Sequence, residues 1–521
     1  MGAYMDTGRT EHIPVIDLFA GPGGLGEGFS AYTDGGKHPF RILLAVEKDR
    51  FAWQTLSLRC FYRQFHYRGL PVPDDYYRHV TAPENLTREE LFRCFPREAE
   101  VASAEAWLAE LGDSSTEEVL EQKIHTAVAG AAHWALIGGP PCQAYSIAGR
   151  SRNCGNKRFE QDPRHFLYEE YLRIIARHWP SVFVMENVKG ILTSKAKGRP
   201  IFPKIREDLR DPGKATGVSS QHGYRLFSLV TRKLPDTLVP GDFVIRCEEY
   251  GIPQARHRVI VLGIRDDLAD PQYVPPVLRK ASRTVNVEEV LTLPQLRSGL
   301  SLNACLEDSW ENWCEVLRQA RFSQWLYSAD ERVKDRVERT LTQLDSRIYK
   351  LSRTPSGRGW PPAYAPRWYV DDKLGLALNH ESRDHRDDDL HRYLFAACYA
   401  QVNDESPKLR HFPTRLLPEH RNAKRAAREG GNFSDRFRVQ RRGAPATTIT
   451  SHIAKDGHYY IHPDPIQCRS LTVREAARIQ TFPDNYFFCG PRTAQYHQVG
   501  NAVPPLLARS IARIVHGVLQ E

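Results

Sequence analysis

The chain has 521 residues, of which 41% are hydrophobic and 26% charged, and a formal net charge of +9 at pH 7. These values predict a soluble protein of two or three domains, and they exclude a disordered or fibrous chain. We find no run of about 18 apolar residues and no secretory segment, so we expect no membrane span. The 10 cysteines lack metal-ligand spacing, which predicts reduced thiols, a cytoplasmic location and no bound metal.

The N-terminal region predicts a strand that ends in a glycine-rich turn. Pro14 to Ala20 is an apolar run, and five glycines follow within Gly21 to Gly28. Such a turn lets the backbone approach a ligand closely, although its spacing is not GxGxxG. A second strand ends at Glu47, an acid placed either to accept hydrogen bonds from ribose hydroxyls or to start a helix. Turn and acid together predict an adenosine-containing cofactor.

The central stretch, IGGPPCQAYS from Ile137 to Ser146, follows an apolar run that predicts a buried strand. Its glycines and prolines end the strand, so Cys142 is expected at the carboxyl end, where open α/β sheets bind ligands. Most cysteines are buried and structural. A core position is disfavoured for Cys142, because two rigid prolines precede it and the polar Gln143 follows it. The pattern favours a fixed, partly exposed nucleophile.

Two later segments place charged groups near predicted strand ends. Residues 181–185 predict a buried strand that ends in Glu186, which either shares a cleft with Cys142 or caps a helix. The sequence QARHR places Arg256 and Arg258 alternately on one face of the next apolar strand. On an edge strand such arginines often serve only to prevent aggregation, so this alternative stays open.

The second half of the chain loses the strand–helix alternation. Residues 271–435 are rich in Arg, Trp, Pro and His, and we interpret them as a separate inserted domain. Residues 406–443 contain eleven lysines and arginines but only three acids, which gives a local charge of +8. This segment is either a solvated face or a phosphate-binding surface. Thr472 and Glu475 then predict a capping box, and residues 506–519 predict an apolar helix.

Six motifs stand in one order along the chain: DLFAGPGG, GGPPCQAYS, ENV, QARHR, TVREAARIQTFPD and QVGNAVPP. In residues and order they resemble the DNA (cytosine-5) methyltransferases, over 14–266 and 436–519. The resemblance implies an α/β fold, with a doubly wound, Rossmann-like domain that binds S-adenosylmethionine and a smaller inserted DNA target-recognition domain. We expect the catalytic domain over 1–270, the recognition domain over 271–450 and a return segment over 451–521.

The resemblance also implies roles for individual residues. Cys142 matches the nucleophile that adds to C6 of a flipped-out cytosine, Glu186 the group that contacts the N3 edge, and Arg256 and Arg258 the pair that orients the base. The residues that match cofactor contacts are Phe19, Gly21, Gly23, Gly24, Glu47, Leu167 and Asn501. The predicted DNA contacts are Gln143, Ser146, Arg438, Arg441, Arg442 and Thr448.

One cofactor contact does not match. The family often has an acid for adenine after the third strand, in a Gly-Asp-Ile-like context, and the nearest counterpart found is His79. Residues 87–130 predict charged helices without recognisable chemistry. The setting expected by analogy is bacterial restriction-modification or phage defence, with a monomer on double-stranded DNA in the nucleoid and a cognate restriction endonuclease. An RNA (tRNA) methyltransferase and a non-catalytic DNA-binding regulator are the alternatives.

Overall fold

The computed structural model describes five stretches of the chain: residues 12–141, 164–196, 199–301, 307–431 and 433–520. The chain forms two compact units. The first unit comprises Met1–Gly251, Arg256–Ser282 and Ala502–Glu521, and the second comprises Ile252–Ala255 and Arg283–Asn501.

A mixed sheet lies at the centre of the first unit. Its eight strands among the described residues are β1 (Ile13–Leu18), β2 (Phe40–Glu47), β3 (Ala106–Leu108), β4 (Ala135–Gly138), β5 (Val182–Val188), β6 (Tyr224–Phe227), β7 (Val244–Arg246) and β8 (His257–Arg265). The order is β3-β2-β1-β4-β5-β8-β6, with β7 also paired to β8. Strands β1 to β5 are parallel, and β8 is antiparallel to its neighbours. The predicted α/β, Rossmann-like class is confirmed.

One sequence-based expectation about strands is wrong. Strand β8 pairs with β5 on one side and with β6 and β7 on the other, so the explanation of Arg256 and Arg258 as guards against aggregation, which requires an edge strand, does not hold. Residues 87–130 are mostly helical, as predicted, and the short strand β3 within them pairs with β2.

Helices cover the sheet because its strands are hydrophobic on both faces. They are α1 (Gly24–Ser30), α2 (Arg50–Tyr67), α3 (Asp74–Thr81), α4 (Arg88–Cys94), α5 (Pro96–Glu105), α6 (Ser114–Val128), α7 (Arg164–His178), α8 (Ile201–Arg210) and α9 (Pro212–Thr216). Residues Lys195–Ala196 and Arg199–Pro200 form a small antiparallel pair. The carboxyl ends of β1, β2, β4 and β5 share one edge of the sheet, where the predicted site residues Phe19, Glu47 and Glu186 lie.

The second unit is mainly helical. Its helices are α10 (Trp310–Arg318), α11 (Gln324–Tyr327), α12 (Glu331–Asp345), α13 (Pro366–Tyr369), α14 (Asp387–Asn403), α15 (Arg421–Glu429), α16 (Val473–Ile479) and α17 (Arg492–Asn501). Two-residue strands pair Gln254–Ala255 with Ala446–Thr447 and Gly299–Leu300 with Asp384–His385. A core that includes Trp313, Leu341 and Leu394 holds the helices together. The predicted capping box of α16, Thr472 with Glu475, is confirmed.

The two units divide the chain at other points than the predicted domains. Residues 451–501 belong to the second unit, because Arg474 and Arg478 donate hydrogen bonds to the carbonyls of Leu378 and Val290. Only 502–521 rejoins the first unit, as helix α18 (Pro505–Gln520). The functional roles of the three predicted segments stay predictions.

One helical stretch among the described residues is long and apolar enough to cross a membrane, by length and composition only, although the sequence analysis predicted no membrane span. It is Arg492–Gln520, which holds α17 and α18, and its most apolar window is 61% buried. Such burial is typical of the core helices of soluble proteins.

Candidate functional site

The glycine turn joins β1 to α1 through three residues in the left-handed region. Phe19 and Gly21 have φ of 57° and Gly23 has φ of 96°. A Cβ atom at Gly21 would meet no described atom within 4 Å, so the backbone faces open space there. This part of the turn leaves a ligand room to approach the main chain.

Glu47, at the end of β2, holds the turn from the other side. Its Oε2 accepts a hydrogen bond from the Gly21 amide and its Oε1 one from the Asp49 amide, both at 2.7 Å. Burial raises the pKa of Glu47, and the two amides oppose that shift. The structure thus brings together two residues that were predicted as cofactor contacts and lie 26 positions apart.

Gly24 and Gly28 allow the C-terminal segment of the chain to pack closely against α1. A Cβ atom at Gly24 would lie 2.3 Å from the carbonyl oxygen of Val503, and one at Gly28 would lie 2.4 Å from Cβ of Ala508. These glycines let α1 pack against α18 and the residues before it. Asn501, the predicted cofactor contact of the last motif, ends α17 as an exposed residue.

The ends of β4 and β5 meet as predicted. A Cβ atom at Gly139 would lie 2.9 Å from Oε2 of Glu186, so only glycine leaves room for this carboxylate. Nδ2 of Asn187 donates a hydrogen bond to the carbonyl of Pro140 at 3.1 Å. The chain that leads to Cys142 is therefore anchored beside Glu186. Cys142 itself, like Gln143 and Ser146, lies outside the described residues.

The two arginines of the QARHR motif point to different partners. Nε of Arg258 lies 2.8 Å from Oε1 of Glu186, and both side chains are largely buried. Arg256 is 1% exposed, and its Nη2 donates a hydrogen bond to the carbonyl of Ala502 at 2.8 Å. Arg258 thus orients the candidate catalytic carboxylate, whereas Arg256 holds the segment that enters α18.

His79, the nearest counterpart of the expected adenine contact, precedes the third strand of the sheet instead of following it. His79 lies in α3, where its Nδ1 is 2.7 Å from the carbonyl of Leu86, and burial lowers its pKa. The residues that follow β3 include Gly112 and Asp113, a Gly-Asp pair. A Cβ atom at Gly112 would lie 3.8 Å from Cδ2 of Leu167, another predicted cofactor contact. Asp113 also caps α6, where its side chain accepts a hydrogen bond from the Ser115 amide.

The predicted phosphate-binding arginines each face an acid in the second unit. Arg438 pairs with Asp435, Arg441 lies 3.3 Å from Asp404, and Arg442 lies 3.9 Å from Asp464. Their positive charge is therefore partly neutralised by neighbours of their own chain.

Thr448 is held by a hydrogen-bond network that the sequence did not predict. Its Oγ1 donates to the carbonyl of Ala255 at 2.7 Å. Beside it, the amide of Ile449 donates to Oε1 of Gln254, and Nε2 of Gln254 donates to Oε1 of Gln480, both at 2.7 Å. Both glutamines are fully buried, and the only signal for them was that each stands in one of the six motifs.

A surface cluster has the composition of a metal site. His222, Asp266 and Asp267 place their ligand atoms within 4.8 Å of one another. Both aspartates are exposed, and Arg265 pairs with Asp267 at 2.7 Å, so surface ion pairing accounts for the cluster. The expectation of no bound metal stays a prediction.

The sheet order, the open glycine turn after β1 and the largely buried carboxylate of Glu186 at the end of β5 define the first unit as a methyltransferase-type α/β domain. The family described as C-5 cytosine-specific DNA methylase matches residues 110–516. The chain is 34% identical over 526 residues to "Type II methyltransferase M.Bpa9945I" of Bacillus paralicheniformis, covering 97% of this chain and 99% of that protein.

Two further relatives match at lower identity. "Type II methyltransferase M.DdeI" of Desulfomicrobium norvegicum is 25% identical, over 96% of this chain and 87% of that protein. "DNA (cytosine-5-)-methyltransferase M.ApeKI" of Aeropyrum pernix is 26% identical, over 76% and 83%. The chain therefore belongs to the C-5 cytosine-specific DNA methylases, and the predicted enzyme class, a DNA (cytosine-5) methyltransferase, is confirmed.

Proposed function

We propose that the protein transfers a methyl group from S-adenosylmethionine to C5 of a flipped-out cytosine in a specific duplex sequence, through a covalent bond between Cys142 and C6. The observation that carries this proposal is the Glu186–Arg258 pair, fixed beside Gly139 and Pro140, two residues before Cys142. A carboxylate held in this way lies next to the chain that presents the thiol, as the chemistry requires.

Covalent catalysis is needed because cytosine C5 is too weak a nucleophile to accept a methyl group unaided. Addition of the Cys142 thiolate to C6 makes C5 an enamine-like carbon, while Glu186 contacts the N3 edge and supports the charge that develops on the ring. A carbon–carbon bond then forms at C5 as the methyl–sulfur bond breaks. Loss of the C5 proton to water or another base and elimination of the thiolate release 5-methylcytosine. The base must leave the duplex stack first.

The residues around the glycine turn fit S-adenosylmethionine. Gly21 leaves open space beside the main chain, and the carboxylate of Glu47 keeps acceptor capacity for ribose hydroxyls. We assign the adenine side to Leu167 and to Asp113, in place of His79. When bound, the cofactor supplies an electrophilic methyl group on a sulfonium. The remaining predicted contacts, Phe19, Gly23, Gly24 and Asn501, stay in the proposal as the family resemblance gives them.

We assign the recognition of double-stranded DNA to the second unit. Its size argues against the RNA alternative, since the RNA-methylating branch is compact. The proposed setting is host-DNA protection beside a cognate restriction endonuclease, with a monomer on DNA in the bacterial cytoplasm and nucleoid. These statements extend the family assignment.

The covalent step is tested by trapping on a duplex that contains 5-fluorocytosine, with cofactor present. Fluorine at C5 blocks the final elimination, so we expect wild type to form an SDS-stable complex and Cys142→Ser to form none. Glu186→Gln, which keeps the shape of the side chain, should trap more slowly. Equal trapping by wild type and Cys142→Ser would show that another residue is the nucleophile. Bisulfite sequencing of host DNA reveals the methylated site and excludes the regulator and RNA alternatives.

A further inference from the structure

We propose that the outer face of α15 and of two neighbouring 3-10 turns, Leu409–His411 and Thr414–Leu416, binds the phosphate backbone of duplex DNA. The inference rests on the proposed function, and within the cationic segment 406–443 it moves the phosphate contacts away from Arg438, Arg441 and Arg442. We call this the α15 surface and define it by six cations: Lys408, Arg410, Arg415, Arg421, Lys424 and Arg428.

Helix α15 has one apolar and one cationic side. Ala423 and Ala426 are buried in the helical core of the second unit. Arg421, Lys424 and Arg428 are exposed on the other side. A helix that buries only alanines allows the backbone to lie close to the core, while its long cationic side chains extend into solvent.

The two turns repeat this arrangement. Leu409 and Leu416 are buried in the same core. Lys408, Arg410 and Arg415, beside them in sequence, are exposed. Helix α15 packs against the first turn, so the cations of the turn and of the helix belong to neighbouring elements.

The α15 surface differs from the predicted arginines in its partners. Within the described part of the chain, none of its six cations forms an ion pair with an acid. Arg438, Arg441 and Arg442 each face an aspartate instead. A cation without an acidic partner adds its full charge to the local potential, and its contact with a phosphate releases counterions from DNA.

A cleft beside the turns extends the surface. Arg410 and Arg415 line it together with Gln324 and Ser328 of the α11 region, and its volume is about 520 Å³. Asp330 also lines the cleft, where it caps α12. A strand of backbone has room to lie between the turns and α11.

Exposed aromatic side chains favour a nucleic acid over a small anion. Phe322 and Tyr327, before and at the end of α11, are 82% and 68% exposed. Exposed large apolar side chains mark interaction surfaces, and Tyr327 stands in the short helix whose Gln324 lines the cleft with Arg410 and Arg415. Duplex DNA is the occupant that fits both the charge of the surface and the family of the chain.

The test measures how duplex-DNA affinity depends on salt for three forms of the full-length protein. The first is wild type, and the second carries Arg421→Gln, Lys424→Gln and Arg428→Gln. The third is a charge-matched control with Arg283→Gln, Lys350→Gln and Arg358→Gln, three exposed cations of the same unit that pair with Glu289, Glu311 and Asp372.

Each lost phosphate contact lowers the slope of log affinity against log salt by about 0.9, so the α15 variant should be shallower by up to about 2.7. When salt is raised from about 50 to about 200 mM, the affinity of wild type should therefore fall by up to about 40-fold more than the affinity of the α15 variant. The control variant should keep the wild-type slope, and the methylated sequence should be the same in all three proteins.

Three outcomes would overturn the proposal: a wild-type slope in the α15 variant, an equally shallow slope in the control variant, or a change confined to a duplex RNA of the same sequence. Failure of the proposed function gives a different result, because wild type itself would then leave host DNA unmethylated and 5-fluorocytosine untrapped. A wild type that methylates DNA, combined with an unchanged slope in the α15 variant, rejects the surface alone.

Discussion

The two units both bury charged side chains, but they partner them differently. In the second unit, both Nη atoms of Arg469 donate to the carboxylate of Glu475 at 2.7 Å. Arg478 makes two contacts of 2.8 Å to Asp484, and Arg474 donates to backbone carbonyls. The arginines around and within α16 are therefore fully engaged in holding the fold together.

The first unit leaves one buried carboxylate without such a partner. Arg59 pairs with Glu27 at 2.9 Å and Arg63 with Glu105 at 2.7 Å. Asp17 lies in β1 at 1% exposure, and among the described residues no side chain donates a hydrogen bond to it, although the Gly26 amide acts to lower its pKa. Burial raises its pKa to about 7, although Arg63 acts in the opposite direction.

The difference teaches that two buried acids, each in one of the family motifs, behave differently: Glu475 stays charged, whereas Asp17 can gain or lose a proton. Glu475 keeps its charge at any ordinary pH, because Arg469 holds its pKa far below the usual range despite burial. Asp17, directly behind the glycine turn, changes protonation near neutrality. The Glu475–Arg469 pair should thus add no pH dependence near neutrality, whereas Asp17 does.

The largest expected effect comes from breaking a complete pair. Glu475→Ala leaves Arg469 buried and uncompensated, so we expect a loss of about 3–5 kcal/mol in the free energy of unfolding. Glu105→Ala should cost a similar amount through Arg63. Urea titration measures both, with Glu419→Ala, an exposed acid, as a control within about 0.5 kcal/mol of wild type. If Glu475→Ala matched that control, the pairing would not be stabilising the second unit.

The pH dependence of stability separates the two clusters. The pKa of Asp17 is raised from 3.8 to about 7 in the fold, so the folded chain holds a proton that the unfolded chain has lost. The resulting stabilisation is complete below about pH 4 and disappears as pH rises through 7, a change on the order of 4 kcal/mol. Asp17→Asn should remove this contribution, while the buried histidines of the second unit, whose pKa values burial lowers, should destabilise both proteins alike as pH falls.

Urea midpoints between about pH 4 and 8 measure the effect. Asp34→Asn, at an exposed aspartate, serves as the control and should follow wild type. An Asp17→Asn protein whose midpoint still falls with pH as in wild type would mean that other groups cause the dependence, and the contrast between the units would lose its basis.

The smallest effect concerns the space around Asp17. A Cβ atom at Gly26 would lie 3.0 Å from Oδ2 of Asp17 and 3.6 Å from Nη1 of Arg63. Gly26→Ala should destabilise by about 1 kcal/mol, because crowding outweighs the gain in helix propensity. Gly517→Ala in α18 meets no described atom within 4 Å and should be neutral or stabilising by up to about 1 kcal/mol. Equal melting temperatures for the two variants would show that the space is not tight.

Much of this protein could be derived from its sequence because the signals are local. Apolar runs located β1, β2, β4 and β5, and the spacing of Thr472 and Glu475 located the start of α16. The order of the six motifs indicated the family and, through it, Glu186 and Arg258. The structure then shows that these two side chains contact each other. Strand ends and helix caps depend on neighbouring residues, so one chain is enough to find them.

The tertiary structure decided what depends on distant residues. Three residues form β3 within a helical stretch because β2 offers them an edge, and β8 is central because β6 pairs with its other side. Gly24 and Gly28 allow residues 502–509 to approach α1 closely, and Arg438 faces an aspartate whereas the α15 surface does not. Pairing, close approach and ion-pair formation are set by parts of the chain that folding brings together, and no local pattern records them.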